Sequence, residues 1–386
     1  MSLMRFAAAL PCFIALTSLH LYGQLTASSS NSQPDVLIFT NGEKLIGHLE
    51  SATGKSVVFK SDMAGEVTVD WSKIQELHSS QKFAAIPKGT RLRNSQDAAR
   101  VPQGAIAVTG QQVEVSATAQ AAPVTVPVGN VGNLVEEGAF QKAFERSSFL
   151  HGWKGGATGG ISLTEATQKN QTFTAALNLT RSVPGVDWLD VRRRTLFDLN
   201  EAYGKISEPG TPTIKTSLFH AGLEQDQYLS PRVFVFAHAL FDHSFSQGLD
   251  LQQTYGGGLG VVVFKRTTDE LDFKASADYI NQRYAGDPTA TPPVLSRSVS
   301  LFGTTFGETY TRTFVHGIFL NQQAGITPTW NSLDDYSAFA SAALTFPVYH
   351  RFGLTLGALD NFLNNPPPTF KKNSFQFTAG ATYSFQ

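Results

Sequence analysis

Four residues in one short segment have side chains that could do chemistry: His238, Asp242, His243 and Ser244. Histidine, serine and a carboxylate together suit nucleophilic catalysis, and histidine with aspartate can bind a metal. In an extended strand, however, His238 and Asp242 point to one face and His243 to the other. Neither a Gly-x-Ser-x-Gly turn nor a third metal ligand at suitable spacing accompanies them. We interpret them as residues of an interior or a rim, and predict no catalytic, cofactor-binding or metal-binding residues.

A glycine-rich stretch, Tyr255–Gly260, superficially looks like a phosphate-binding loop. Such a loop opens a helix and carries a Lys-Ser or Lys-Thr pair, and the sequence that follows has neither feature. In a strand, Gly256, Gly258 and Gly260 share one face. Small inward residues make room for bulky neighbours in a narrow barrel, and this is the role that we expect for these glycines.

The composition favours strands over helices. Lys and Arg number 30 against 31 Asp and Glu, and without a basic face nucleic acid is not an expected partner. Charged residues make up 16% of the chain, below the roughly 25% usual for soluble domains. The chain is rich in Phe and Gly, with 29 and 33 residues, and in small polar residues. This mixture predicts an all-β chain.

The N-terminal segment has the features of a secretory signal peptide. Arg5 precedes a largely apolar run, residues 6–21, that contains no charged residue. We predict a signal peptide over residues 1–27, cleaved near residues 23–27. Its removal would also remove Cys12, the only cysteine, so the mature chain would have neither disulfides nor thiol chemistry. Export without cysteines suits a protein of the bacterial envelope. A lipoprotein signal at Cys12 is the less favoured alternative, because a proline precedes it.

The chain then divides into three parts. Residues 28–118 contain short apolar runs with an Asn41-Gly42 hairpin signal and predict a small β module that folds independently, with Trp71 in its core. Residues 119–150 predict a linker and a short helix, with an extended spacer over 118–132 and the helical pattern over 133–146. Residues 151–386 predict an antiparallel transmembrane β-barrel of about 12 strands.

The barrel prediction rests on alternation of apolar and polar residues. From Phe375 to Phe385 every second residue is apolar or small, and the others are polar or glycine. About a dozen long segments of this kind can be counted: 154–165, 170–182, 191–204, 213–226, 231–245, 251–266, 269–283, 297–310, 312–324, 334–346, 350–361 and 371–386. Past residue 27 no apolar stretch is long enough for a spanning helix, so a membrane-spanning chain would need a closed barrel.

The same parity predicts which side chains face the lumen and which the lipid. Asp272, Lys274 and Asp278 share one face, as do Arg192, Arg194 and Asp198. Such mixed charges favour neither a strongly cation-selective nor a strongly anion-selective pore. Aromatic residues near strand ends are candidates for interfacial girdles. They are Trp153, Trp188, Tyr203, Tyr228, Tyr279, Tyr284, Tyr310, Trp330, Tyr349 and Phe370.

Closure of such a barrel predicts that residues 371–386 pair antiparallel with residues 154–165, with Thr158 near Thr378 or a neighbouring register. Phe385 keeps the lipid-facing parity although Gln386 is last. We expect Phe385 to carry the terminal aromatic signal that the barrel assembly machinery reads.

Three motifs resemble the family of salt-induced outer membrane proteins, a barrel domain of unknown function. They are Trp153 to Gly156, Glu224 to Arg232, and Asp250 to Gly260 followed by Leu271-Asp272. The resemblance covers about residues 153–386 and implies a location and a fold rather than a mechanism. The first hairpin, residues 166–170, departs from the Gly-Asn that the family often shows.

The sequence therefore predicts a bacterial outer membrane β-barrel with its N-terminal module in the periplasm. Its expected role is that of an envelope structural protein or a narrow pore, and not that of an enzyme. The expected partners are outer membrane lipid and the barrel assembly machinery. An outer membrane enzyme that acts on lipid and a soluble secreted all-β binding protein remain alternatives.

Overall fold

The computed structural model describes residues 34–118, 122–145, 148–165, 169–207, 214–286, 293, 295–367 and 370–385. The predicted signal peptide, the turn at 166–168 and Gln386 lie outside these residues. Within them no α-helix is both long enough and apolar enough to cross a membrane.

The N-terminal part of the described chain forms one antiparallel sheet, whose strands differ in length. Its strands are β1 (Asp35–Phe39), β2 (Lys44–Thr53), β3 (Ser56–Ser61), β4 (Gly65–Asp70), β5 (Ile74–Pro87), β6 (Gln103–Thr109), β7 (Gln112–Ser116), β8 (Val124–Pro127) and β9 (Val131–Glu136). They follow the order β4-β3-β2-β1-β5-β6-β7-β8, and β9 pairs with both β2 and β5. The predicted Asn41-Gly42 hairpin joins β1 to β2, with Gly42 at φ +86°, a conformation that favours glycine.

The core of this module confirms the role predicted for Trp71. The side chain is buried, and its indole Nε1 donates a hydrogen bond to the carbonyl of Thr53 at 2.7 Å. The predicted spacer over 118–132 is wrong, because β8 and β9 belong to the sheet. The helix is shorter than the predicted 133–146: α2 spans Glu137–Phe144, and a short α1 spans Ser95–Ala98.

These strands change what we expect of the isolated module. A fragment of residues 28–145 is expected to show a β-type circular dichroism spectrum and cooperative unfolding, whereas a fragment of residues 28–118 is expected to be unfolded. The shorter fragment lacks β9, whose Val131 and Leu134 are fully buried, and each such side chain stabilises by about 1.5–3 kcal/mol. Equal stability of the two fragments in a urea titration would contradict this.

In the described residues, the connection of residues 184–192 packs against the module. Phe140 of α2 stacks on Trp188 with ring centroids 5.7 Å apart, and Leu189 is buried in the same apolar cluster. The Arg192 guanidinium donates a hydrogen bond to the Arg93 carbonyl. Arg192 is therefore not the lumen residue that its parity predicted, and Trp188 packs on the module rather than in a girdle.

In the described residues, twelve antiparallel strands form the closed barrel predicted from the sequence. They are β10 (Trp153–Glu165), β11 (Lys169–Val183), β12 (Arg193–Ser207), β13 (Ile214–Tyr228), β14 (Val233–Ser244), β15 (Leu249–Lys265), β16 (Asp269–Tyr284), β17 (Arg297–Thr313), β18 (Phe319–Thr327), β19 (Ser337–Tyr349), β20 (Phe352–Leu363) and β21 (Asn373–Phe385). Closure is as expected, since β21 pairs antiparallel with β10. Thr158 lies opposite Thr382, one of the neighbouring registers, and not opposite Thr378.

The two ends of the barrel differ in their connections. We call the end where β10 begins and β21 finishes the terminal end, and the other the loop end. Four of the five connections at the terminal end, those after β13, β15, β17 and β19, have five residues or fewer, and the fifth, residues 184–192, has nine. Those after β16, β18 and β20, at the loop end, have nine or more. Outer membrane barrels show the same contrast between short periplasmic turns and longer outer loops.

The alternation predicts the faces of the strands well. Phe375 and Phe377 lie on the outer surface and are exposed, while Thr382 points inward and is buried. Two of the aromatic residues predicted for a girdle face inward instead. Tyr284 is buried, and Tyr228 packs against the ring of Phe234 with centroids 5.1 Å apart.

Candidate functional site in the barrel lumen

A buried cluster of charges occupies the terminal end of the lumen. Arg194 is its centre, and its side chain is 12% exposed. Its Nε lies 2.7 Å from Asp226, its Nη1 3.2 Å from Glu270 and its Nη2 2.8 Å from Asp272. The side chain of Asp226 is fully buried. We call these four residues the Arg194 cluster. Buried charges persist in this way only when they are paired and hydrogen-bonded.

Aromatic rings and a second ion pair surround this cluster. The Arg194 guanidinium lies 5.3 Å from the ring centre of Phe234, within the range of a cation–π contact. Lys274 pairs with Glu224 and lies 5.7 Å from the ring centre of Phe236. The inward parity predicted for Arg194 and Lys274 is thus confirmed. The cluster and the rings fill one side of the lumen at this end.

Two of the three inward glycines of β15 make room for side chains, as the sequence predicts. Gly256 lies opposite both His238 on β14 and Asp278 on β16, so the two side chains meet over it, with Nε2 and Oδ1 3.1 Å apart. A Cβ on Gly256 would lie 1.8 Å from Asp278 Oδ1, and one on Gly260 would lie 2.1 Å from the Phe234 ring.

The third of these glycines gives a direct test. Alanine at Gly258 is expected to destabilise the barrel by about 1–3 kcal/mol, as overpacking does, because its Cβ would lie 1.9 Å from the backbone carbonyl oxygen of Ala275. Gly159→Ala is the matched control, since a Cβ on Gly159 meets no atom within 4 Å. Urea midpoints of the two purified variants in detergent measure the difference. A midpoint for Gly258→Ala at or above that of Gly159→Ala would refute the packing role.

The centre of the charged wall holds a histidine between two carboxylates. His220 has Nε2 2.6 Å from Asp198 Oδ2 and Nδ1 2.6 Å from Asp242 Oδ1. Asp242 has the inward parity predicted for it, but its partner is His220 and not His238. Sequence reasoning missed His220. All three residues share the inward parity, which was the available signal, but only the strand register brings them together.

A line of hydrogen bonds continues from this histidine towards the loop end. Gln252 donates to Asp242 at 3.3 Å, Gln282 donates to Gln252 at 2.8 Å, and the Tyr284 hydroxyl donates to Gln282 at 3.0 Å. Asp242, Gln252 and Gln282 lie directly opposite one another on adjacent strands. The line therefore follows one row of the sheet along the charged wall.

The other wall of the lumen carries hydroxyl groups and small side chains. Thr345, Thr355, Thr382 and Thr158 lie on adjacent strands across the closure, with their hydroxyl oxygens 2.8, 2.5 and 2.8 Å apart in that order. Alanine, serine and glycine residues of β19 and β20 line the same side. The lumen thus has a charged wall over β12–β16 and a neutral, hydroxyl-bearing wall over β19–β21 and β10.

The connection between β14 and β15 reaches across the loop end. Gln247 lies in a short 3-10 helix, Phe245–Gln247, and is almost fully buried. Its amide nitrogen donates hydrogen bonds to the carbonyl of Asn361 at 3.0 Å and to that of Lys372 at 2.9 Å. Because β14 and β20 are on opposite sides of a twelve-strand closed order, this contact narrows the mouth.

Between the Arg194 cluster and Gln247 lies a cavity of about 400 Å³. Inward-pointing charged or titratable side chains of the charged wall line it, among them Asp198, His220, Glu224, His238, Asp242 and Lys274. This size and lining suit water and small polar solutes.

The other two residues of the segment 238–244, His243 and Ser244, lie on different faces of β14. His243 is on the outer surface, where its Nδ1 donates to the carbonyl of Asp250 at 2.9 Å. Ser244 points inward and is buried. Among the residues that the structure describes, no group of three or more His, Cys, Asp or Glu is arranged to hold a metal ion.

Comparison with solved structures finds outer membrane barrels at low similarity. The β domain of the Bordetella autotransporter Brka is 12% identical, with 60% of this chain and 98% of that chain covered and a TM-score of 0.29. The COG4313 outer membrane channel from Pseudomonas putida F1 is 12% identical, with 62% of this chain and 100% of that chain covered and a TM-score of 0.32. The translocator domain of the autotransporter NalP from Neisseria meningitidis is 10% identical, with 60% of this chain and 87% of that chain covered and a TM-score of 0.31. Likeness at this level says nothing about function.

Comparison with sequences gives the family. No curated protein matches the chain. One family model, a domain of unknown function, matches residues 157–385, which is more than half of the chain and nearly the range of the resemblance seen in the sequence. The name "salt-induced" is not part of its description and stays a prediction. The chain belongs to the family described as Protein of unknown function, DUF481.

Proposed function

We propose that this protein is an outer membrane β-barrel that forms a narrow pore for small hydrophilic solutes, with its N-terminal module in the periplasm. The observation that supports a pore best is the cavity between the Arg194 cluster and Gln247, with charged side chains on one wall and hydroxyl groups on the other. Side chains can fill the interior of a barrel of about eight strands, whereas much wider barrels leave an aqueous channel. The twelve strands here leave this cavity. The narrow passage past Gln247 and the Arg194 cluster restricts the pore to small solutes.

Two observations support this orientation. Four of the five connections at the terminal end are short, as periplasmic turns are, and the module contacts the barrel at residues 184–192 of that same end. The proposal includes export by the signal peptide, and contacts with outer membrane lipid and the barrel assembly machinery. It includes neither nucleic-acid binding nor enzymatic activity.

Single-channel recording in a planar bilayer tests the proposal. Folded protein, identified by heat-modifiable migration on a gel, is expected to give small, uniform conductance steps. Folded protein that inserts but conducts no ions would contradict the pore and leave a structural role. Hydrolysis of phospholipid by the same preparation would instead favour the lipid-acting enzyme.

A further inference from the structure

The charged side chains of the lumen differ in how exposed they are to the cavity. Those of the Arg194 cluster are buried and paired with one another, and Arg194, Asp226 and Asp272 are not part of the cavity wall. The carboxylates beside His220 are much more open: the side chain of Asp198 is 36% exposed and that of Asp242 is 26% exposed. These two groups are therefore the charges that an ion in the cavity meets most directly.

The sign of this site does not depend on the protonation of its histidine. With both carboxylates ionised and His220 neutral, the three side chains carry two negative charges. With His220 protonated, so that both ring nitrogens donate, they still carry one. His238 and Asp278 together add either nothing or one further negative charge. The centre of the lumen is thus negative in each of these states.

The basic groups that the register turns inward in the described strands do not cancel this charge. Lys274 is paired with Glu224, and Arg194 is held within its cluster. Lys265, the last residue of β15, pairs with Glu270 at 2.9 Å at the terminal end. Lys154 is the second residue of β10 and Arg297 is the first residue of β17, so both lie at the rims. The opposite wall offers hydroxyl groups, which are neutral and can accept hydrogen bonds from a hydrated cation.

We propose that the lumen admits small cations in preference to anions, and that Asp198 and Asp242 are the residues that determine this selectivity. The proposal rests on the pore function proposed above and specifies its substrate class. The sequence alone predicts a pore without strong selectivity, because the inward charges have both signs. The structure changes this expectation because the charges of the Arg194 cluster are buried and do not face the cavity. A fixed charge in a narrow lumen with low-dielectric walls concentrates counter-ions and repels co-ions.

Reversal potentials in a tenfold KCl gradient measure the preference. For the wild-type protein we expect a permeability ratio of K⁺ to Cl⁻ on the order of ten, from about one unit charge acting across a narrow aqueous lumen. The Asp198→Asn/Asp242→Asn variant is expected to lower this ratio at least about threefold. Asparagine keeps the size of each side chain and an oxygen that accepts a hydrogen bond.

Asp250→Asn is the matched control. It removes one carboxylate from the outer surface of the barrel, where Asp250 pairs with Arg283 at 2.8 Å, and should leave the ratio unchanged. If the double variant does not fold, Asp198→Asn alone takes its place. A wild-type pore without cation preference, or a ratio that survives both lumen substitutions, overturns the selectivity proposal while the pore stands. Folded protein without conductance overturns the pore itself.

Discussion

Methionine in place of Arg194 is expected to destabilise the barrel by about 3–5 kcal/mol, the usual effect of removing one partner from a buried ion pair. The substitution keeps an apolar chain of similar length but leaves Asp226 and Asp272, both buried, without their cation. Urea unfolding in detergent, followed by heat-modifiable migration, measures the loss. We expect most of the protein to run as the unfolded band under conditions in which the wild-type barrel stays folded.

Two further variants separate loss of charge balance from loss of packing. Arg194→Met combined with Asp226→Asn and Asp272→Asn removes the stranded charges, and should recover much of the stability, since buried ion clusters can be replaced by neutral groups at little cost. Arg266→Met removes an exposed arginine that pairs with Asp269, and should change stability by less than about 1 kcal/mol. If the triple variant were less stable than Arg194→Met, the charge explanation would be wrong.

An arginine at Ala379 is expected to cost about 2–4 kcal/mol, the penalty for a basic residue on the lipid-facing side at the centre of a membrane. Ala379 is the middle residue of β21 and lies on the exposed outer face with Phe377. Thr378→Arg is the neighbouring control. Its side chain points into the lumen, where Thr378 lines the cavity, so water can reach the guanidinium and the cost should be far smaller. Equal loss of folded protein from the two substitutions would overturn the assignment of the faces.

The fold could be predicted from the sequence because the residues of a barrel strand face lipid and lumen in turn, so that apolar and polar residues alternate. The strict alternation from Phe375 to Phe385 gave both β21 and its faces, and the parity of Arg194 and Lys274 placed them in the lumen. By contrast, the sequence predicts the end of a spacer and the start of a helix where the structure has β9. Its residues Val131–Glu136 form a short apolar run that period alone does not distinguish from a buried helix. Only the pairing with β2 and β5 makes it a strand.

The candidate site depends on information that the pattern of single strands does not contain. Parity assigned Asp198 and Asp242 to one face of each strand, but their meeting at His220 requires the registers of β12, β13 and β14. A shift of two residues keeps every face and changes every partner. Burial is missing from the sequence in the same way: Asp226 and Asp242 have the same parity, yet one is fully buried and the other is open to the cavity.

Closure of the barrel by β10 and β21 is the claim on which the lumen, its cavity and the pore all depend. Cysteines at Thr158 and Thr382 test it most directly in outer membranes, because these residues lie opposite each other with hydroxyl oxygens 2.8 Å apart. We predict that Thr158→Cys/Thr382→Cys forms an intramolecular disulfide. Thr158→Cys/Thr378→Cys should not, since four residues along a strand separate the second position by about 13 Å, beyond disulfide reach. Crosslinking of the second pair but not the first, or of neither, would contradict the closed barrel described here.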